Sequence, residues 1–164
     1  MILIIASCKS AKDRLTDEIK SGEQILFNDS LKTLNEVEAN KVFLNYIKYA
    51  EVYKDDTVSA AFLFKAGDLS NGLNRPSEAI SIFERLRKTF PDYRKAPAAL
   101  FMEGFIYETR MNDPEKAKEK YREFISKYPD HRLTSSAQAS LEQLEANLSN
   151  EELIKMFEEK NKNN

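Results

Sequence analysis

The sequence predicts an all-α protein built from stacked helix hairpins. Three observations carry that expectation. Glycine and proline are scarce, four and five in 164 residues. No Val/Ile/Thr-rich alternating run is present, and the segment from Ala60 to Ala137 repeats itself at an offset of 38 residues. Few turn formers and no period-2 pattern argue against sheets, and a fixed period of this length is the mark of a helical repeat array.

The repeat is read residue against residue. Ala60-Ala61 maps on Ala98-Ala99, Ala66 on Gly104, Leu69 on Tyr107 and Pro76 on Pro114. Further along, Ala79 maps on Ala117, Phe83 on Tyr121, Phe90-Pro91-Asp92 on Tyr128-Pro129-Asp130, and Ala99 on Ala137. Within a unit, Ala79, Ile82, Phe83, Leu86 and Phe90 fall on one face of a helix over 77–90. Ala117, Tyr121, Phe124, Ile125 and Tyr128 do the same in the twin that Asp113-Pro114 opens. A carboxylate there accepts from free N–H groups, and proline fits the first turn. Pro91 and Pro129 end their helices, because proline lacks the donor and disfavours helix in the residue before it. The helix between them, 96–110, is apolar on most sides and is expected between neighbours.

Upstream, Phe43, Tyr46, Ile47, Ala50 and Tyr53 give one side of a helix over 40–53, with Lys54-Asp55-Asp56-Thr57 in place of the Tyr-Pro-Asp corner. Leu15, Ile19, Gly22 and Leu26 predict an amphipathic helix over 11–27 that packs on the end of the array. Ser149-Asn150-Glu151-Glu152 is a capping-box pattern, opening a short C-terminal helix with Leu153, Met156 and Phe157 inward. Lys160 to Asn164 is a polar tail. The chain therefore divides into 1–8, a linker and helix over 9–38, repeats over 39–148, and a capping helix with tail over 149–164.

The motif Gly104-x-x-Tyr107, Ala117-x-x-x-Tyr121, Pro129 resembles the tetratricopeptide repeat. Leu100 stands where that family carries Trp, and Glu103 where it carries Leu. The resemblance implies a right-handed superhelix of hairpins with N- and C-terminal capping helices, and close helix approach at the small residues Gly104 and Ala117. Longer units ending in Tyr-Pro-Asp are similar to those of helical-repeat lipoproteins of the bacterial envelope, such as those of the barrel-assembly machinery and the Tol-Pal system. Ile5-Ala6-Ser7-Cys8 looks like the lipobox of such lipoproteins, an aliphatic residue and two small ones before the cysteine that takes the lipid. Only Ile2 to Ala6 form an apolar run ahead of Ser7-Cys8, with no Lys or Arg, so either the start lies upstream of Met1 or the segment is not a signal. Lys9-Ser10 after Cys8 carries no retention aspartate, which implies an outer-membrane location.

Chemistry is not written into this chain. There is one cysteine, one histidine, a net charge of −2 with the two signs interspersed, and no phosphate-binding, nucleophile-elbow or zinc-protease motif. These features argue against nucleic acid, a disulfide framework, a bound metal, a cofactor, a small-molecule substrate and catalysis. His131 reads as a solvated loop residue, and Glu115, Glu119 and Glu123, interleaved with Lys116, Lys118 and Lys120, read as a charged solvent face. Binding remains. The resemblance sets Gly104 at the eighth repeat position, which implies that Phe101 and Phe105, and Leu63 and Gly67 one unit earlier, lie on the concave face. They would form an apolar groove for a protein or peptide of the cell envelope, or be covered by a terminal helix of the same chain. Phe, Leu and Gly are the wrong residues for the carboxylate clamp of chaperone-binding repeats. A membrane-anchored scaffold is the reading, with a cytoplasmic adaptor or an unrecognised hydrolase as alternatives.

Overall fold

The computed structural model describes residues 9–27 and 35–146. Among them are α1 (Ala11–Phe27), α2 (Glu36–Val52), α3 (Thr57–Gly72), α4 (Pro76–Thr89), α5 (Ala96–Thr109) and α6 (Pro114–Lys127), followed by α7 over 134–146, and no strand. The all-α expectation holds, and consecutive helices pack against one another, α1 on α2, α2 on α3 and α5 on α6. Cys8 and the C-terminal helix expected from Ser149 lie outside the described residues. The chain forms two compact units, Met1–Ile82 and Phe83–Asn164, whose boundary falls within α4.

The first unit is held by an aromatic and aliphatic core. Leu15 and Ile19 of α1 meet α2, whose Val42, Phe43, Tyr46 and Tyr49 are buried. Tyr46 stacks on Phe62 of α3 at 5.4 Å, and Tyr49 meets the same ring edge-on at 4.8 Å. Helix α2 starts four residues before the apolar period suggests. The cause is Asn35, whose side-chain oxygen accepts from the amides of Val37 and Glu38. The second unit centres on Leu100, Ala117, Tyr121, Phe124 and Ala137, all fully buried, with Phe101, Tyr107, Leu133, Leu141 and Leu144 packed around them.

The connections repeat more faithfully than the residues that make them. From one hairpin to the next, the amides of Asp56, Tyr93 and His131 donate to the carbonyls of Tyr53, Phe90 and Tyr128, at 3.0, 3.1 and 3.1 Å. Three residues on, Ser59, Ala96 and Thr134 donate to the carbonyls of Asp56, Tyr93 and His131. Lys54-Asp55-Asp56 thus makes the same corner without proline. Within hairpins, Asn74 and Asn112 turn the chain with φ of 58° and 50°. Asparagine tolerates this left-handed conformation, and both sit two residues before the proline that starts the next helix.

Two glycines permit close approach. A Cβ on Gly22 would lie 2.3 Å from Cγ2 of Val42, and one on Gly104 would lie 2.9 Å from the Tyr121 ring, as expected for that small residue. At Gly72 it would meet nothing within 4 Å. Gly22→Ala should therefore cost ~1–3 kcal/mol in urea unfolding, because Val42 is β-branched and buried. Gly104→Ala should cost less, since the ring edge can yield by a few tenths of an ångström. Gly72→Ala should be neutral or stabilising by up to ~1 kcal/mol.

Candidate functional site

The four residues expected to line a groove separate into two pairs. In α3, Leu63 is 1% exposed and Gly67 is buried, so neither offers surface to a partner. In α5, Phe105 is 39% exposed. Phe101 is half-buried, its ring 5.7 Å from Tyr121 and 5.8 Å from Phe124. Ala98 and Met102 are also half-exposed, so Ala98, Phe101, Met102 and Phe105 form a continuous apolar line at i, i+3, i+4 and i+7. Their counterparts 38 residues earlier, Ala60, Leu63, Phe64 and Gly67, are all buried.

Behind this line lies a charge cluster. Glu103 on α5 has no exposed surface, and Arg87 of α4 grips it with Nε on Oε1 at 2.7 Å and Nη2 on Oε2 at 3.1 Å. Lys120 of α6 reaches Oε2 at 3.0 Å and Glu84 at 3.3 Å, and the Arg87 Nη1 donates to Glu123 at 2.8 Å. Burial lifts the pKa of Glu103, and Arg87, then Lys120, pull against it. Burial likewise works against the charge of Lys120, but Glu103 and then Glu84 overcome it and hold its pKa above the ordinary value. Two cations on one buried carboxylate satisfy both its oxygens, which is what lets a charge stay in a core.

This corrects the reading of α6 as a plain charged face. Lys118 is buried along its stem and pairs with Glu115, while the side chains of Lys120 and Glu123 turn inward to the cluster. The departure of Glu103 from the expected apolar residue was the signal for it, since an acid at a core position requires buried cations. His131 is also more than a solvated residue. Its Nδ1 accepts from the Leu133 amide at 3.2 Å and its ring meets Phe124 edge-on at 5.5 Å, so it braces the third corner.

At the first corner, Asp56 performs three tasks. Its Oδ1 accepts from the Val58 amide at 2.9 Å to cap α3, while its Oδ2 accepts from the Tyr49 hydroxyl at 2.7 Å and pairs with Lys12 of α1. The Lys12 hydrogen bond, the Val58 amide and the Tyr49 hydroxyl together hold its pKa at about 2. No group of His, Cys, Asp and Glu suited to a metal ion occurs among the described residues. Among those residues, no helix is long and apolar enough to cross a membrane.

The family model described as tetratricopeptide repeat matches residues 61–93 and 98–131, that is, most of α3–α4 and of α5–α6. Two consecutive helix pairs of the chain are thus similar to tetratricopeptide repeats. No curated protein matches the chain. Tetratricopeptide repeats are typically modules that bind other proteins without catalysis, and in the second matched repeat the first helix presents the open apolar line.

The cluster gives a direct stability test. Arg87→Met leaves Glu103 buried with Lys120 alone and should cost ~3 kcal/mol or more in chemical denaturation. Replacing Arg87, Glu103 and Lys120 together by Met, Leu and Met should restore most of that loss, because removing the whole set leaves no buried charge behind.

Proposed function

We propose that this protein is a non-enzymatic scaffold that holds another cell-envelope protein against the exposed line of α5, and that a lipid on Cys8 ties it to the outer membrane. The observation that carries the first half is the exposure of Phe105, with Met102 and Ala98 beside it, on the first helix of a matched repeat. Large apolar side chains in a row on a helix surface favour a partner, since water gains by their burial. The face fits an extended or helical peptide whose own apolar residues repeat at matching intervals. Leu63 and Gly67 stay in the proposal only as the buried support of the preceding repeat.

Phe105 is the residue to change, because Phe101 packs on the core cluster and its loss would disturb folding. Phe105→Glu should lower the affinity for a captured envelope partner by at least about 10-fold, with an unchanged circular dichroism spectrum. Equal capture by wild type and variant would remove the face from the proposal.

The second half rests on the Ile5-Ala6-Ser7-Cys8 pattern. A thiol at that position takes a diacylglyceryl group, and several acyl chains anchor firmly where a single one does not. Radiolabelled palmitate should enter the wild-type protein in cells and be lost in Cys8→Ser. Recovery of unprocessed, unlabelled protein from the soluble fraction would favour a cytoplasmic adaptor instead.

A further inference from the structure

Away from α5, the first corner contains a site whose parts match one kind of ligand. Tyr49 and Tyr53 set their rings 4.8 Å apart with planes at 53°. The Nζ of Lys12 lies 5.9 Å from the first centroid and 5.4 Å from the second, and it pairs with Asp56. Ring faces carry negative potential and a carboxylate accepts N–H donors, so two rings and a carboxylate around one nitrogen make an alkylammonium site.

The walls of this site do not depend on the lysine inside it. Tyr49 is 2% exposed and locked against Phe62, and Asp56 is fixed by the Val58 amide and the Tyr49 hydroxyl. The lysine, by contrast, is 46% exposed along a flexible side chain. Helix α1 is attached through Leu15, Ile19 and the close approach at Gly22, so the ammonium can leave while the helix stays. At the two sister corners the residue in the place of Asp56 is Tyr93 or His131, and neither supplies a carboxylate.

We propose that the Tyr49–Tyr53–Asp56 corner is a binding site for a primary alkylammonium group, the side chain of a lysine on a partner protein, which Lys12 occupies in cis as a built-in competitor. Asp56 Oδ2, which also takes the Tyr49 hydroxyl, can accept an N–H from a primary ammonium, so that group is preferred over a quaternary one, which keeps only the rings and the charge attraction. A tethered lysine acts at a high effective concentration, so an incoming lysine prevails only when the rest of its chain also binds. The site thus gates a second contact, and it stands whether or not α5 takes a partner.

The test uses the full chain and three small probes followed through the amide signals of Tyr53 and Val58: N-acetyl-lysine methylamide, its trimethylammonium analogue, and the neutral norleucine derivative. Lys12→Ala should bind the lysine probe at least about 5-fold more tightly than wild type. The trimethylated probe should bind more weakly, the norleucine probe should leave the signals in place, and Lys12→Ala with Asp56→Asn should lose the lysine probe. No saturable shift in Lys12→Ala, an equal response to norleucine, or tighter binding of the quaternary probe would overturn the proposal. Should Lys12→Ala fail to fold, Lys12→Gln keeps most of the stem without the charge and decides by the same titration. If both unfold, Lys12 is a structural tie and the proposal falls.

Discussion

Wherever a helix ends, its last carbonyls and the first amides of the next helix must find partners, and in this chain the hairpin-to-hairpin passage solves the problem one way three times. An aromatic residue closes the outgoing helix, its carbonyl takes the amide three residues on, and that residue's carbonyl takes the amide three further. The spacing is set by the backbone. Tyr53 sets its ring on Tyr49 and Tyr128 packs on the second core, while the residues that follow are free to vary. That is why Lys54-Asp55-Asp56 does the work of a proline corner. Two of these corners gain a side-chain bond in addition, Ser59 to the Tyr53 carbonyl and Thr134 to the Tyr128 carbonyl, each at 2.7 Å. Ala96 at the middle corner has no hydroxyl to give.

With the corners fixed, the two units are stabilised by different means. The first buries rings on rings, Tyr46 and Tyr49 against Phe62, and brings its polar atoms out at the edge, where the Tyr46 hydroxyl and Lys65 both donate to Glu23 at 2.6 Å. The second places charge inside. Lys65 and Glu103 occupy the same repeat position with opposite sign, one at the surface on an acid and one in the core between two cations. A buried carboxylate bound on both oxygens contributes little net stability compared with an apolar residue, but it penalises any helix arrangement that separates its partners. In the second unit that penalty falls on three helices at once, because Arg87, Glu103 and Lys120 come from α4, α5 and α6.

The helices were legible because their information is local. The apolar period of α4 and α6, the Asp113-Pro114 start and the proline stops place α4 to α6 within a residue or so of their observed ends. The glycine-mediated approach at Gly104 was legible too, through its pairing with Ala117 and Tyr121 in the repeat motif. What escaped was information that needs two distant residues. Lys118, Lys120 and Glu123 look like surface charge on a helical wheel, and only the carboxylate of Glu103 across the helix pair turns Lys120 inward. The start of α2 escaped because a cap is a single side chain, Asn35, before the apolar pattern begins. The left-handed Asn74 and Asn112 escaped although both stand at the same distance before a proline, 38 residues apart.

The candidate binding face shows why a repeat register alone overcounts. Equivalent positions have equivalent directions, so Leu63 and Phe101, or Gly67 and Phe105, belong to one line by symmetry. Exposure is not a property of direction, however. It depends on what each helix meets and on the size of the side chain it carries. Gly67 has no side chain to present, and Leu63 is covered, whereas Phe105 carries a ring that its surroundings only partly hide. The same logic separates the three corners. All have the aromatic residue and the backbone bonds, and at the first the Asp56 carboxylate takes both the Tyr49 hydroxyl and Lys12, whose ammonium lies over the Tyr49 and Tyr53 rings. Repetition fixes the scaffold, and the residues that break it, Phe105 against Gly67 and Asp56 against Tyr93 and His131, are where one unit can do what the others cannot.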